Sequence, residues 1–217
     1  MNVVILGPQG SGKGTQAEKI AESFSLEHID MGKFLREVAQ LPTKLGKEIN
    51  EIINIKKELV SDKILKKVLQ VKLQDLPREK GIVFDGVPRS QNQLEYLEEA
   101  LQQSGRMIEA VFFLKLSFEE SIKRISKRRI CEKCKKVFIL GKNILNEKEF
   151  CPVCGGKIIQ RVDDSEEGVK KRLSIFQKET LPVFDYYKKN EALIEINGDQ
   201  TVEKVFADIS KELKKQI

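Results

Sequence analysis

The chain reads as an α/β protein built on a doubly wound parallel sheet with two inserted segments. Three observations carry that expectation. Short apolar runs alternate with helix-compatible sequence, a glycine-rich loop follows the first run directly, and the alternation fails between Cys131 and Gln160, where paired cysteines and lysines take over. At 217 residues there is room for one full-sized core plus a smaller inserted unit.

Val3-Val4-Ile5-Leu6 is an unbroken apolar run cut off by Gly7-Pro8, the pattern of a strand buried on both faces of a parallel sheet. Behind it, Ala17, Ile20, Ala21 and Phe24 recur at spacings of three and four, so a helix from about Lys13 to Phe24 can lay one stripe on that sheet. Ser61 is expected to cap a helix carrying Ile64, Leu65, Val68 and Leu69, ended by Pro77. Ile82-Val83-Phe84, Ala110 to Leu116 and Leu193 to Ile196 are further buried-strand candidates. Val202, Val205, Phe206, Ile209 and Leu213 form a last amphipathic stripe after the Asn197-Gly198 turn. Buried strands alternating with amphipathic helices give a doubly wound sheet.

Composition narrows the function classes. With 40% hydrophobic and 33% charged residues the chain is an ordinary globular one, and no apolar run approaches the ~20 residues a bilayer needs. Val3 to Leu6 is too short for a signal-peptide core, so a cytoplasmic location and no membrane partner are expected. Lys and Arg number 39 against 33 Asp and Glu, a net +6 that favours anionic partners. Tryptophan is absent and aromatics make up only 6%, which speaks against base stacking on a nucleic acid.

Gly7-Pro8-Gln9-Gly10-Ser11-Gly12-Lys13 has the G-x-x-x-x-G-K spacing of a phosphate-binding loop, and it lies between a buried strand and a helix, where that chemistry requires it. Glycines let successive N–H groups of residues such as Gly10, Ser11, Gly12, Gly14 and Thr15 turn toward phosphate oxygens. The following helix offers its positive end, and Lys13 adds a point charge. The residue after the lysine is Gly14, with the hydroxyl one place later at Thr15, so Mg²⁺ is expected to be held through water and an acidic residue instead. Asp85, ending Gly81-Ile82-Val83-Phe84, is placed for that; an ordinary strand-ending turn aspartate is the plainer alternative. His28, the one histidine, reads as a sheet-edge residue.

Cys131-Glu132-Lys133-Cys134 and Cys151-Pro152-Val153-Cys154 are two C-x-x-C pairs separated by sixteen residues, within the window of a four-cysteine zinc site. Four thiolates satisfy tetrahedral Zn²⁺ with no open position, so the metal would be structural. Two disulfides are the competing reading, disfavoured in a cytosolic chain. A stretch of about thirty residues with few large apolar side chains is too small to pack a core unaided, which gives zinc its purpose here.

Gly7 to Gln16, read as GPQGSGKGTQ, together with Asp85-Gly86-Val87-Pro88-Arg89, resembles the adenylate kinase family of nucleoside monophosphate kinases. The likeness continues in order through Leu35-Arg36, Leu45-Gly46-Lys47, Leu59-Val60-Ser61-Asp62, Arg124 with Arg128-Arg129, Arg161-Val162-Asp163-Asp164, Lys171-Arg172-Leu173 and Ile196-Asn197-Gly198. The resemblance implies a core of residues 1–30, 61–122 and 162–217, an acceptor-binding segment at 31–60 and a zinc-binding lid at 123–161. It also implies Mg²⁺-dependent phosphoryl transfer from ATP to AMP, giving two ADP, by a monomer with no nucleic-acid partner.

By matching positions, the resemblance implies that Arg36, Arg89, Arg161 and Arg172 hold the monophosphate or the phosphate in flight, and that Lys13, Arg124 and Arg128 hold the triphosphate. Gln93 matches the reader of the acceptor base, with Met31, Glu58, Leu59, Val60 and Gly86 around it; Val137, Phe138 and Gln200 match donor contacts. Asp163 and Asp164 are expected to orient the arginines. Met31 in place of Thr or Ser, Lys33, Lys56 and Val87 depart from the family pattern, and Met31 and Lys56 bear on acceptor selectivity. Arginine suits the task because its planar fork makes two parallel bonds to phosphate and stays protonated. The rival readings are a kinase for another nucleoside monophosphate and, in a different class, a zinc-ribbon nucleic-acid binder.

Overall fold

The computed structural model describes residues 1–56, 58, 60–146, 150–161 and 164–215. Its core is a five-stranded, all-parallel sheet in the order β2-β3-β1-β4-β8. The strands are β1 (Asn2–Leu6), β2 (Glu27–Asp30), β3 (Ile82–Asp85), β4 (Ala110–Lys115) and, at the far edge, β8 (Leu193–Asn197). Between and around them run α1 (Lys13–Ser23), α2 (Met31–Val38), α3 (Lys44–Asn50), α4 (Asp62–Gln74), α5 (Gln91–Gln103), α6 (Phe118–Ser126), α7 (Glu166–Ile175), α8 (Leu181–Lys189) and α9 (Val202–Leu213). Glu51–Lys56 and Phe176–Thr180 wind as wider π-type turns.

The period-2 geometry of a strand explains the two-sided core. Val4 and Leu6 point to one face, where α4, α5 and α8 bring Leu65, Leu69, Leu94, Leu97 and Val183. Val3 and Ile5 point to the other, where α1 and α9 bring Ala17, Ile20, Val205, Ile209 and Leu213. Each fully buried aliphatic or aromatic side chain contributes about 1.5–3 kcal/mol, so these two layers, more than helix propensity, fix the sheet.

The chain leaves β1 for the edge strand β2, returns through β3 and then crosses to β4 on the other side of β1. In open α/β sheets the crevice for a ligand forms at the carboxyl ends of the strands where the order reverses, here at β1. The glycine loop leaves β1 at that point.

The inserted unit is a separate three-stranded antiparallel sheet, β5 (Arg128–Cys131), β6 (Val137–Ile139) and β7 (Ile158–Ile159), in the order β6-β5-β7. Its own small core holds Cys131, Phe138, Ile144, Cys151 and Ile158. Two sequence expectations change. The edge strand β2 (Glu27-His28-Ile29-Asp30) carries no apolar run, because only its one neighbour and one buried position constrain it, yet it pairs with β3 and places His28 at the sheet edge as expected. Ser61 stands at the start of α4 without a side-chain cap, whereas Asp30, Thr43, Ser90, Ser117, Ser165 and Thr201 each accept an N–H of the helix they open.

Candidate functional site

Glycine is required twice in the loop by geometry. A Cβ on Gly7 would sit 2.8 Å from both the Leu114 carbonyl oxygen and Ser11 Oγ, and Gly12 caps α1 at φ +92°, a left-handed conformation that side chains disfavour. Lys13 opens α1 and folds back over the loop, its Nζ donating to the carbonyls of Gly7 (2.7 Å) and Pro8 (2.9 Å). Loss of hydration lowers this ammonium to about 8; Asp85 opposes the shift, while Arg89, Arg128 and Arg172 add to it.

The sign of this shift has a binding consequence. In the empty fold the charge on Lys13 is unfavourable, a cost fully present below pH 8 and relieved as pH rises from about 8 toward the ordinary 10.5. Phosphate brings negative charge back and restores the proton. Binding of ATP at pH 9 is therefore expected to take up a proton and to weaken by up to about tenfold per pH unit above 8. Calorimetry in buffers of different ionisation enthalpy checks this, with Lys13→Arg abolishing the uptake; no uptake in the wild-type protein refutes it.

Asp85 ends β3 against the same loop and is nearly buried. A Cβ on Gly14 would lie 3.1 Å from Asp85 Oδ2. The close approach of this carboxylate gives glycine, not serine or threonine, a steric reason to follow the lysine. His28 Nε2 lies 3.9 Å from the same oxygen.

The arginines are held by partners that fix their direction. Arg89 Nε donates to the Gly86 carbonyl at 2.8 Å, its backbone N–H to Gln93 Oε1 at 2.8 Å, and its carbonyl accepts the Thr180 hydroxyl at 2.8 Å. Asp164, its side chain fully buried, accepts Arg128 Nε at 2.7 Å and Arg172 Nη2 at 2.8 Å, and Arg128 Nη2 as well. One carboxylate thus binds an arginine from the start of the small sheet to one on α7. Arg124 on α6 pairs with Glu120 and reaches the Gly198 carbonyl (3.0 Å) and Asp199 (2.9 Å). Arg161 is half-buried, and its carbonyl accepts the Asp164 N–H at 3.0 Å. The Arg36 guanidinium comes within 3.2 Å of the space a Cβ on Gly32 would fill.

Of the residues expected around the acceptor, Gln93 is buried, and with its Oε1 taken by Arg89 its Nε2 is the donor left to offer. It lines a cavity of about 470 Å³ with Val60, Ser61, Asn92 and Lys178. Met31, the first residue of α2, is buried in the core, and Gly86 turns at φ +81°. Glu58 is exposed and paired with Lys171. Leu59 and Asp163 lie outside the described residues. On the donor side the strand alternation separates two expected contacts: Val137 faces out, whereas the Phe138 side chain is buried in the small sheet's core. Gln200 is half-buried and bonds the Asn197 carbonyl and Asp208.

The four cysteine sulfurs lie within 4.8 Å of one another, with Sγ···Sγ separations of 3.5 Å for Cys131–Cys154 and 3.6 Å for Cys134–Cys151. Tetrahedral Zn–S bonds of about 2.3 Å require sulfurs roughly 3.8 Å apart, so the cluster fits that ion, and S–S bonding at 2.05 Å is not present. Burial opposes a charge on Cys131, but the N–H of Cys134, the Cys154 side chain and the N–H of Lys133 outweigh it and hold the thiol down to about 6. Gly156 is a fixed requirement here: a Cβ on it would meet Cys131 Sγ at 2.8 Å.

Sequence reasoning missed Thr180 and Ser121. Thr180 stands in a π-type turn with no pattern to mark it. Ser121 is a polar residue four positions before Ile125 on the buried face of α6, the one signal that it has a partner inside.

A parallel sheet with a glycine loop and lysine at its switch point, faced by arginines, defines a P-loop protein that handles nucleotide phosphates. A family model described as Adenylate kinase matches residues 5–192. A protein named adenylate kinase from Petrotoga mobilis is 41% identical over 213 residues, spanning 98% of this chain and 95% of its own length. Proteins of the same name from Archaeoglobus fulgidus (38% identical) and Methanosarcina barkeri (37%) each cover 99% of both chains. The chain belongs to the adenylate kinase family. Among the described residues no helix is long and apolar enough to cross a membrane.

Proposed function

We propose that this protein catalyses reversible transfer of a phosphoryl group from ATP to AMP, giving two ADP, as a cytoplasmic monomer. The observation that carries the reading is that Arg89, Arg128 and Arg172, from three separate segments, all bring their charge to bear on Lys13 of the glycine loop. Phosphoryl transfer asks the protein for alignment and charge neutralisation more than for covalent work. The backbone of Gly10, Ser11, Gly12, Gly14 and Thr15 with Lys13 cradles the donor phosphates, and Arg124 and Arg128 close on them. Arg36 and Arg89 hold the acceptor phosphate, Arg161 and Arg172 the group in flight, and Gln93 Nε2 reads the acceptor base near Met31, Glu58, Val60 and Gly86.

Mg²⁺, when bound with ATP, neutralises phosphate charge, and Asp85 is the residue that would hold it through water. The acceptor segment 31–60 and the lid 123–161 move over the core 1–30, 61–122 and 162–217, excluding water from the reacting phosphates. Zinc at Cys131, Cys134, Cys151 and Cys154 would stiffen the lid.

A coupled assay tests the reading: with Mg²⁺ and ATP, ADP should form in step with added AMP and much faster than with GMP, CMP or UMP. ATP turnover equally fast without a monophosphate overturns it. A better rate with another base moves the acceptor assignment alone, and the buried thioether of Met31 then becomes the first residue to exchange.

A further inference from the structure

We infer that Ser121, a residue of α6 outside every phosphate-binding motif, is a positioning residue for the phosphate loop. Its side chain is fully excluded from solvent. Its hydroxyl donates to the carbonyl of Gln9, in the middle of the loop. The fit around this bond is close: a Cβ on Gly10 would meet the Ser121 carbonyl at 3.1 Å and Ile125 Cγ1 at 3.2 Å. Helix α6 and the loop therefore touch through backbone, with the hydroxyl as the polar link between them.

The consequence follows from peptide planarity. In a trans peptide the C=O of one residue and the N–H of the next lie in one plane and point in opposite directions. Holding the Gln9 carbonyl toward α6 aims the Gly10 N–H away from α6, to the side on which the loop must present donors. Gly10 sits at φ +80°, where a glycine has little steric resistance to rotating its preceding peptide. Without the Ser121 donor the Gln9 carbonyl loses its partner on the α6 side, and the peptide turns to find water, taking the Gly10 N–H with it.

The same helix carries Arg124 one turn later and leads directly into Arg128. Ser121 thus sets the loop's donors in register with the arginines proposed to close on the same phosphates. The inference rests on the donor site proposed above. Wild-type protein that fails to bind ATP would sink that proposal, whereas a normal wild type with unaffected variants would sink only this one.

The test measures ATP and AMP binding separately by calorimetry for Ser121→Ala and for the pair Ser121→Thr and Ser121→Val, which share a shape and differ in the hydroxyl. Loss of one phosphate-directed N–H is expected to raise the Kd for ATP roughly tenfold in Ser121→Ala and leave the Kd for AMP within about twofold. Ser121→Thr should bind ATP more tightly than Ser121→Val. Any partial unfolding lowers both apparent affinities alike, so the ratio of the two decides even in weakened variants. A fall in ATP and AMP affinity by the same factor, or equal ATP binding by the threonine and valine variants, overturns the inference.

Discussion

Alanine in place of Lys13 is expected to lower kcat/KM for phosphoryl transfer by about 10²–10³-fold, the scale on which removal of one preorganised charge-stabilising donor acts. The lysine is set by the loop itself: its Nζ spans the carbonyls of Gly7 and Pro8, and its charge is already costly in the empty site, where burial and three arginines hold its pKa near 8. An anionic phosphate relieves that cost, so the interaction strengthens where charge develops. Stability should be far less affected. The variant no longer carries a desolvated cation among like charges, and its Tm should fall by no more than about 2–4 °C, equivalent to about 1 kcal/mol. Steady-state kinetics with a thermal melt on the same sample checks both. Activity within tenfold of wild type would remove Lys13 from the phosphate site, and a collapse of the fold would make it a structural residue.

This separation of activity from stability reflects how the site was legible in the sequence. A buried strand, glycines at fixed offsets and a lysine at a helix start are local signals, and the structure places them as local elements. Asp85 was readable for the same reason, as the residue that ends an apolar run. The arginine cluster was not readable from periodicity. Arg89, Arg128 and Arg172 lie on three separate segments, and a lone surface arginine is worth little and marks nothing; their ordered resemblance to a family singled them out. What joins Arg128 to Arg172, one buried carboxylate at Asp164 serving both guanidinium groups, is a tertiary fact. Ser121 and Thr180 are less legible still, since each acts on a backbone carbonyl far along the chain. The edge strand β2 shows the converse: its pairing with β3 is dictated by sheet context, not by its own polar sequence.

Removal of the lid metal should have an effect of comparable size by a different route. The small sheet owns a core of Cys131, Phe138, Ile144, Cys151 and Ile158, so two of its five buried residues are themselves proposed ligands. Three aliphatic or aromatic side chains make too small an apolar core to hold a unit of this size folded unaided. Zinc bound by the four thiolates would add folding free energy that this small core lacks. Protein purified without added metal is expected to carry about one zinc per chain. Strong chelation, or Cys131→Ser, should abolish hydrogen-exchange protection in β5, β6 and β7 while the five-stranded sheet, whose two cores lie elsewhere, keeps its own melting transition. Activity should fall with the lid, because Arg128 is the first residue of β5 and reaches Asp164 only while that strand is formed. Metal-free protein with an equally protected lid would refute the zinc assignment. Loss of activity with β5 still protected would place the effect at the sulfurs and not in the strand that carries the arginine.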